Sequence, residues 1–134
     1  MPSTRIVTSF IINNENFLIL KRSNKVRTMR GLWGGVSGII EKKDTPLKRA
    51  KREIFEELGI NEKDLKLLKK SKKMRLVSPQ YKNHEWIVFP FLFSVKNPKI
   101  NLNWENVEYR WIDADSITKF KTVPSLDKVL FSLL

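Results

Sequence analysis

The spacing of apolar residues changes along the chain, and each change predicts an element. Arg5 to Ile12 is a β-rich run, Asn13-Asn14-Glu15-Asn16 supply turn chemistry, and Phe17-Leu18-Ile19-Leu20-Lys21-Arg22 resume a strand, so the segment reads as a hairpin. Between Thr45 and Gly59 the period lengthens to that of a helix, with Leu47, Ala50, Ile54 and Leu58 on one stripe. Thr45 is a suitable N-cap, Pro46 suits the first helical position, and Gly59 is a C-terminal stop. Leu65 to Ser78 reads as a lysine-laced strand. His84 to Val95 is apolar on both faces, as in a strand buried on two sides, but Pro90 in its middle lacks the N–H that a ladder requires and predicts a bulge or an unpaired register. Glu108 to Ile112 predicts a short strand and Asp113 to Ile117 a turn of helix. Pro124 to Leu134 predicts a closing amphipathic helix with Leu126, Val129, Leu130 and Leu133 inward. No internal repeat or linker interrupts this mixture. It predicts an α+β fold with one core, in a single domain over residues 1–134.

Composition narrows the chemistry that such a domain can perform. The chain has no cysteine, which excludes disulfides, thiolate zinc sites and a cysteine nucleophile. Its one histidine, His84, excludes a histidine-rich metal cluster and is expected to be an ordinary satisfied or exposed side chain. Catalysis is left mainly to carboxylates. Lys and Arg number 26 against 14 acids, a net charge of +12 that favours anionic partners such as phosphates, nucleotides or nucleic acid, unless it is only a solvated surface. The opening Met1-Pro2-Ser3-Thr4-Arg5-Ile6 has no apolar leader, and the longest apolar stretch, Ile87 to Phe93, is too short to span a bilayer. A cytoplasmic protein with no membrane partner is expected.

Within this basic chain, acids cluster on the strongest helix. Glu53, Glu56 and Glu57 stand at i, i+3 and i+4, so they fan over about 100° of its circumference and repel one another. Arg49 reaches Glu53 and Arg52 reaches Glu56 at i+4, and ordinary salt bridges on a solvated face are one reading. Glu53 and Glu57, however, border the apolar stripe. Hard oxygen donors without His or Cys suit Mg²⁺ or Mn²⁺ in a site that holds phosphates. Just before the helix, Gly31-Leu32-Trp33-Gly34-Gly35-Val36-Ser37-Gly38 holds four of the five glycines, where backbone bends sharply or approaches something closely.

Gly38 to Ile60 resembles the box of the Nudix hydrolases. Gly38 is followed six positions on by Asp44 and, after seven more residues, by Arg52-Glu53-Ile54-Phe55-Glu56-Glu57-Leu58-Gly59-Ile60. Asp44 stands where the family has Glu, and Lys43 replaces a frequent glycine. The resemblance extends to the glycine-rich approach, to the strand Phe17 to Arg22, and to Glu105-Asn106-Val107-Glu108-Tyr109-Arg110-Trp111-Ile112.

The resemblance implies an α/β/α sandwich with a mixed β-sheet between helices. It also implies a MutT-like, Mg²⁺-dependent pyrophosphohydrolase that releases a monophosphate and pyrophosphate from a nucleoside triphosphate or a related nucleoside diphosphate derivative. Dinucleoside polyphosphates, nucleotide sugars, RNA 5′ ends, and binding without turnover are the alternatives. Glu53, Glu56 and Glu57, with the Gly38 carbonyl, are the implied metal ligands, and Arg52 would orient Glu56. The general base is a glutamate of the box or Glu105, ahead of Glu85 and Glu108. Asp44 is expected to be structural. Arg22, Arg30, Trp33 and Gly38 are candidates for substrate contact, with Lys25 and Arg27 in the same basic loop and Trp86 and Trp111 as further stacking candidates. Each of these cations also fits a solvated loop, and each tryptophan a core. Lys66, Lys69, Lys70, Lys72 and Lys73 fit protection of an edge strand better than a nucleic-acid contact. A monomer or homodimer acting on a small nucleotide is expected.

Overall fold

A computed structural model describes residues 2–77 and 83–134. Ser78, the last residue of the lysine-laced segment, lies outside them. β1 (Ser3–Asn13) and β2 (Asn16–Arg22) form the expected hairpin, with Asn14 and Glu15 at φ 50° and 66° in a two-residue turn. Positive φ at both turn residues gives a twist matching that of the strands. The pair then splays apart, bonded only at Ile12↔Phe17 and Asn13↔Asn16. The glycine-rich segment fills the gap. Its first part, β3 (Trp33–Gly34), pairs with β2, and its second, β4 (Val36–Ile39), pairs antiparallel with β1.

β1 is the centre of the sheet, because β7 (Glu85–Ser94) runs parallel to it along ten registers. On the far side of β7 lie β5 (Lys66–Lys70) and β6 (Met74–Val77), end to end and both antiparallel to it. The single strand expected here is therefore two, and Pro90 is the reason. The break at 71–73 falls between the Lys70↔Phe91 and Met74↔Val88 registers, opposite the residue that has no N–H to give. β8 (Asn106–Ile112) closes the other end against β2. The sheet is mixed, as expected.

Alternation along the strands sends apolar side chains to both faces, and each face has its own helix. There are thus two cores rather than one. α1 (Pro46–Leu58) lays Ala50, Ile54 and Leu58 on Val7, Ile11, Leu18, Leu20, Phe91 and Phe93. α2 (Leu126–Phe131) and a 3-10 helix (Ala114–Lys119) bring Ile117, Leu126, Val129 and Leu130 onto Phe10, Phe17, Ile19 and Leu92. The closing helix is shorter than the sequence predicted.

The ends of α1 follow the local signals. Thr45 Oγ1 accepts the Lys48 N–H at 3.2 Å, Pro46 opens the first turn, and the Gly59 N–H closes on the Phe55 carbonyl at 2.9 Å with φ of 74°. Because Ile54 is fully buried against the sheet, Ile54→Ala is predicted to cost about 3 kcal/mol through lost burial and a cavity. The urea midpoint should fall with an unchanged slope.

Candidate active site

The packing of α1 on the sheet decides which of its acids are buried. Its stripe seats Ala50 and Ile54 on the strands, and that rotation drives Glu53 and Glu57 inward beside them while Glu56 stays about half exposed. Glu53 lies across the α-carbon of Gly38 on β4. A Cβ at position 38 would overlap the Glu53 carboxyl group, so the glycine is required by close approach.

Two further acids and one arginine fix this corner. Asp44 Oδ2 accepts the Glu41 N–H at 3.0 Å and the Arg49 Nε–H at 2.7 Å, which secures the turn before α1 and clamps the guanidinium. Arg49 then reaches Glu53 Oε2 with Nη1 at 3.0 Å, with both side chains nearly buried. Glu57 Oε1 accepts from Asn106 Nδ2 at 3.2 Å, while its Oε2 is buried and has no hydrogen-bond partner among the described residues. Glu105, next to Asn106, is held by Asn103 Nδ2 at 3.2 Å, and its carbonyl accepts the Ser23 N–H at 2.8 Å.

The electrostatics follow from this burial. Burial pushes the Glu57 carboxyl well above its ordinary value of 4.5, and the charges of Glu105 and Glu53 push it the same way. Burial also raises Glu53, against the opposing hydrogen bond from Arg49. Asp44 moves the other way, because the hydrogen bond from Arg49 favours its charged form.

Glu105 lines a cleft of about 320 Å³ together with Gly38, the residue against which Glu53 packs. Arg22 also lines it, and Ile6, Leu76, Trp86 and Val88 contribute to an apolar floor. Arg22 donates Nε and Nη2 to the Thr28 carbonyl at 3.2 and 3.1 Å, which organises the basic loop and leaves Nη1 outside those bonds.

Several expected roles are placed elsewhere. Trp33 is a correction: it is buried in the core with α2, edge-on to Phe120 and beneath Arg110, and does not line the cleft. Arg30 is exposed, donates Nε to the Val26 carbonyl at 2.7 Å and is not among the residues that line the cleft, although Thr28 and Met29 of the same loop are. Arg52 is largely exposed and 3.9 Å from Glu56, so the firm arginine is Arg49. Lys25 and Arg27 are exposed. Trp111 packs on the core with α1, and of the tryptophans only Trp86 lines the cleft. Glu85 and Glu108 pair with Arg75 and Arg110, and His84 bonds Thr4 Oγ1 at 2.8 Å. Asn106 carried no motif of its own. Its proximity to Glu57 follows from the irregular register between Lys21 and Arg22, where β8 meets the end of β2.

Among the described residues no three His, Asp or Glu side chains are already gathered as a ligand set. The donors nonetheless suit a hard divalent cation: a buried, unpartnered carboxylate oxygen, a second buried carboxylate, and a flank opened by a glycine. An uncompensated buried carboxylate is costly, and a cation or a proton relieves it.

That cost has a pH signature. The folded value for Glu57 lies above the unfolded one, so its contribution to stability is complete below 4.5 and is lost as pH rises through the folded value. Asp44 acts in the opposite sense, and its contribution fades only as pH falls below 3.8. Metal-free protein is therefore predicted to melt at higher temperature as pH falls from about 7 to about 5, and Glu57→Gln to flatten that rise. An equal rise in the variant, followed by circular dichroism, would exclude Glu57 as its source.

Comparison with known proteins places this geometry in a family. A family model described as a NUDIX domain matches residues 2–133. No curated protein sequence matches the chain. Among solved structures, the MutT protein from Methanosarcina mazei Go1 is 24% identical over 97% of this chain and 91% of its own, with a TM-score of 0.81. A C. elegans Ap4A hydrolase is 14% identical over 98% and 94%, with a TM-score of 0.75. A UDP-X diphosphatase is 16% identical over 98% and 62%, with a TM-score of 0.72. At these identities the structures show a shared fold, and the family model, which spans nearly the whole chain, shows that the protein belongs to the Nudix hydrolase family.

Proposed function

We propose that this Nudix hydrolase is a divalent-metal-dependent pyrophosphohydrolase that converts a nucleoside triphosphate, or a related nucleoside diphosphate derivative, into a nucleoside monophosphate and pyrophosphate or the corresponding phosphate product. The buried Oε2 of Glu57, which among the described residues has no hydrogen-bond partner, carries this reading together with Glu53 beside it, because a divalent cation relieves the cost of such a pair while leaving both acids ionised. Glu53 and Glu57 would hold Mg²⁺ or Mn²⁺, with Glu56 turning in from the exposed side and the Gly38 carbonyl beside them. When bound, the cation supplies charge neutralisation at the phosphate oxygens and lowers the pKa of water.

The chain's own residues provide the rest. Arg49, anchored by Asp44, fixes the Glu53 carboxylate so that its reach toward a ligand is set before binding. Arg22 lines the same end of the cleft, where its Nη1 would meet a phosphate oxygen. The apolar floor with Trp86 would receive the nucleoside and exclude water from that half. Glu105 lines the cleft at the acidic end and is the residue proposed to take the proton from the attacking water. The compact cleft favours a mononucleotide over a two-nucleoside substrate.

A nucleotide panel tests this reading. Mg²⁺-dependent release of pyrophosphate or phosphate is expected from at least one member, and Glu56→Gln or Glu57→Gln should abolish it in folded protein. Glu105→Gln should lower kcat by about a hundredfold or more with little change in KM, as loss of a general base does. Full turnover in Glu57→Gln would refute the metal-holding role. In a separate measurement, Mg²⁺ should raise the melting temperature of the wild type and leave that of Glu57→Gln unmoved.

A further inference from the structure

Two outer strands of the sheet, β5 and β8, are built differently. β5 is exposed throughout and places Lys66, Lys69 and Lys70 among its five residues, the pattern that keeps an edge from pairing with another chain. β8 pairs with β2 along one side, and among the described residues no strand pairs with the other. It contains neither lysine nor proline. Its irregularity, at Lys21/Arg22, falls at the first residues of the strand and leaves Glu108 to Ile112 in regular register with β2. β8 and the residues that lead into it also expose Trp104, Val107 and Tyr109, at 59%, 62% and 41%. Scattered exposed apolar residues are ordinary on a folded chain, but three within six residues along an unguarded edge mark a contact surface. None of the three lines the cleft.

The order of side chains along β8 is complementary to itself. Arg110 lies opposite Ile19 and faces the core with α2, over the Trp33 and Phe120 rings. Tyr109 lies opposite Leu20 and faces the α1 side. Glu108, two residues from Arg110, shares its face and pairs with it at 3.0 Å. An antiparallel copy of β8 laid on the free edge, with Tyr109 opposite the partner's Tyr109, puts Glu108 opposite the partner's Arg110. Two-fold symmetry repeats that contact with the roles exchanged. Moving the axis by one residue either way centres it on Glu108 or on Arg110, which sets like charges directly opposite and is unfavourable. The charges therefore select one register, in which the exposed Val107 also meets the partner's Trp111.

A net charge of +12 resists self-association over most of the surface, whereas at this edge a second copy meets opposite charges. We propose that β8 is the interface through which two copies of this chain associate, as an antiparallel strand pair centred on Tyr109 that joins their sheets into one. The association does not depend on the hydrolase reading. It does share an element with the acidic corner, because β8 begins at Asn106, whose amide bonds Glu57.

Sedimentation equilibrium of the full chain tests the proposal. The wild type should approach twice the chain mass of 15.8 kDa as its concentration rises. Glu108→Arg places arginine opposite the partner's Arg110 at both contacts and should weaken the dimer about thirtyfold, and Arg110→Glu should do the same with acids. The double variant Glu108→Arg/Arg110→Glu restores opposite charges in the Tyr109-centred register and should recover most of the wild-type dimer. Should these variants fail to fold, Tyr109→Cys supplies the only thiol in a chain without cysteine. A short bis-maleimide should then link two chains, and Leu67→Cys on β5 should stay unlinked. A wild type still monomeric at about 200 μM overturns the proposal. So does a dimer that neither charge variant weakens, a double variant with no recovery, or linkage through Leu67→Cys in place of Tyr109→Cys.

Discussion

Two carboxylates are buried where α1 meets β4, and the rest of the site is arranged around that cost. Glu53 and Glu57 are pressed inward because the apolar stripe beside them has to reach the sheet, so the hydrophobic seating of the helix places the charges. Neither acid alone is unusual for a helix of this composition. Their shared burial is, since the charge of Glu53 adds to the rise in the pKa of Glu57 and, among the described residues, Glu53 is paired with an arginine and Glu57 is not. The glycine at 38 and the amide of Asn106 are the local concessions that allow the arrangement.

The second element of the design is a chain of fixed partners running from the turn before the helix into the site. Asp44 bonds its own turn and Arg49, and Arg49 bonds Glu53. The aspartate at a position where the family box has glutamate is thereby explained in this chain. Its carboxylate accepts both the Glu41 amide in the turn and the buried guanidinium. A buried arginine bonded to two acids fixes orientation as well as charge. The exposed Arg52, 3.9 Å from Glu56, cannot restrain its partner to the same degree.

Sheet topology turns this corner into one end of a surface. β1 and β2 part after their turn, and the glycine-rich segment enters between them, which brings Gly38 beside the central strand. β7 and β6 continue the sheet on the other side of β1. The glycine-rich segment, α1 and Glu105 meet here from distant parts of the chain, and the net charge of +12 surrounds an acidic focus.

The sequence by itself determined what local physics governs. The hairpin, the limits of α1, the break forced by Pro90 and the seating of Leu47, Ala50, Ile54 and Leu58 all follow from turn chemistry, capping and period, which act within a few residues. It also determined that Glu53, Glu56 and Glu57 share one helix face, since that depends only on a 3.6-residue turn. Tertiary structure decided which of the three are buried, that Arg49 rather than Arg52 is the firm partner, that Trp33 belongs to the core and Trp86 to the cleft, and that Asn106 meets Glu57. Each of these depends on the rotation of the helix on the sheet or on a long-range strand register. Those are set by the sum of many packing contacts, and no local spacing encodes them.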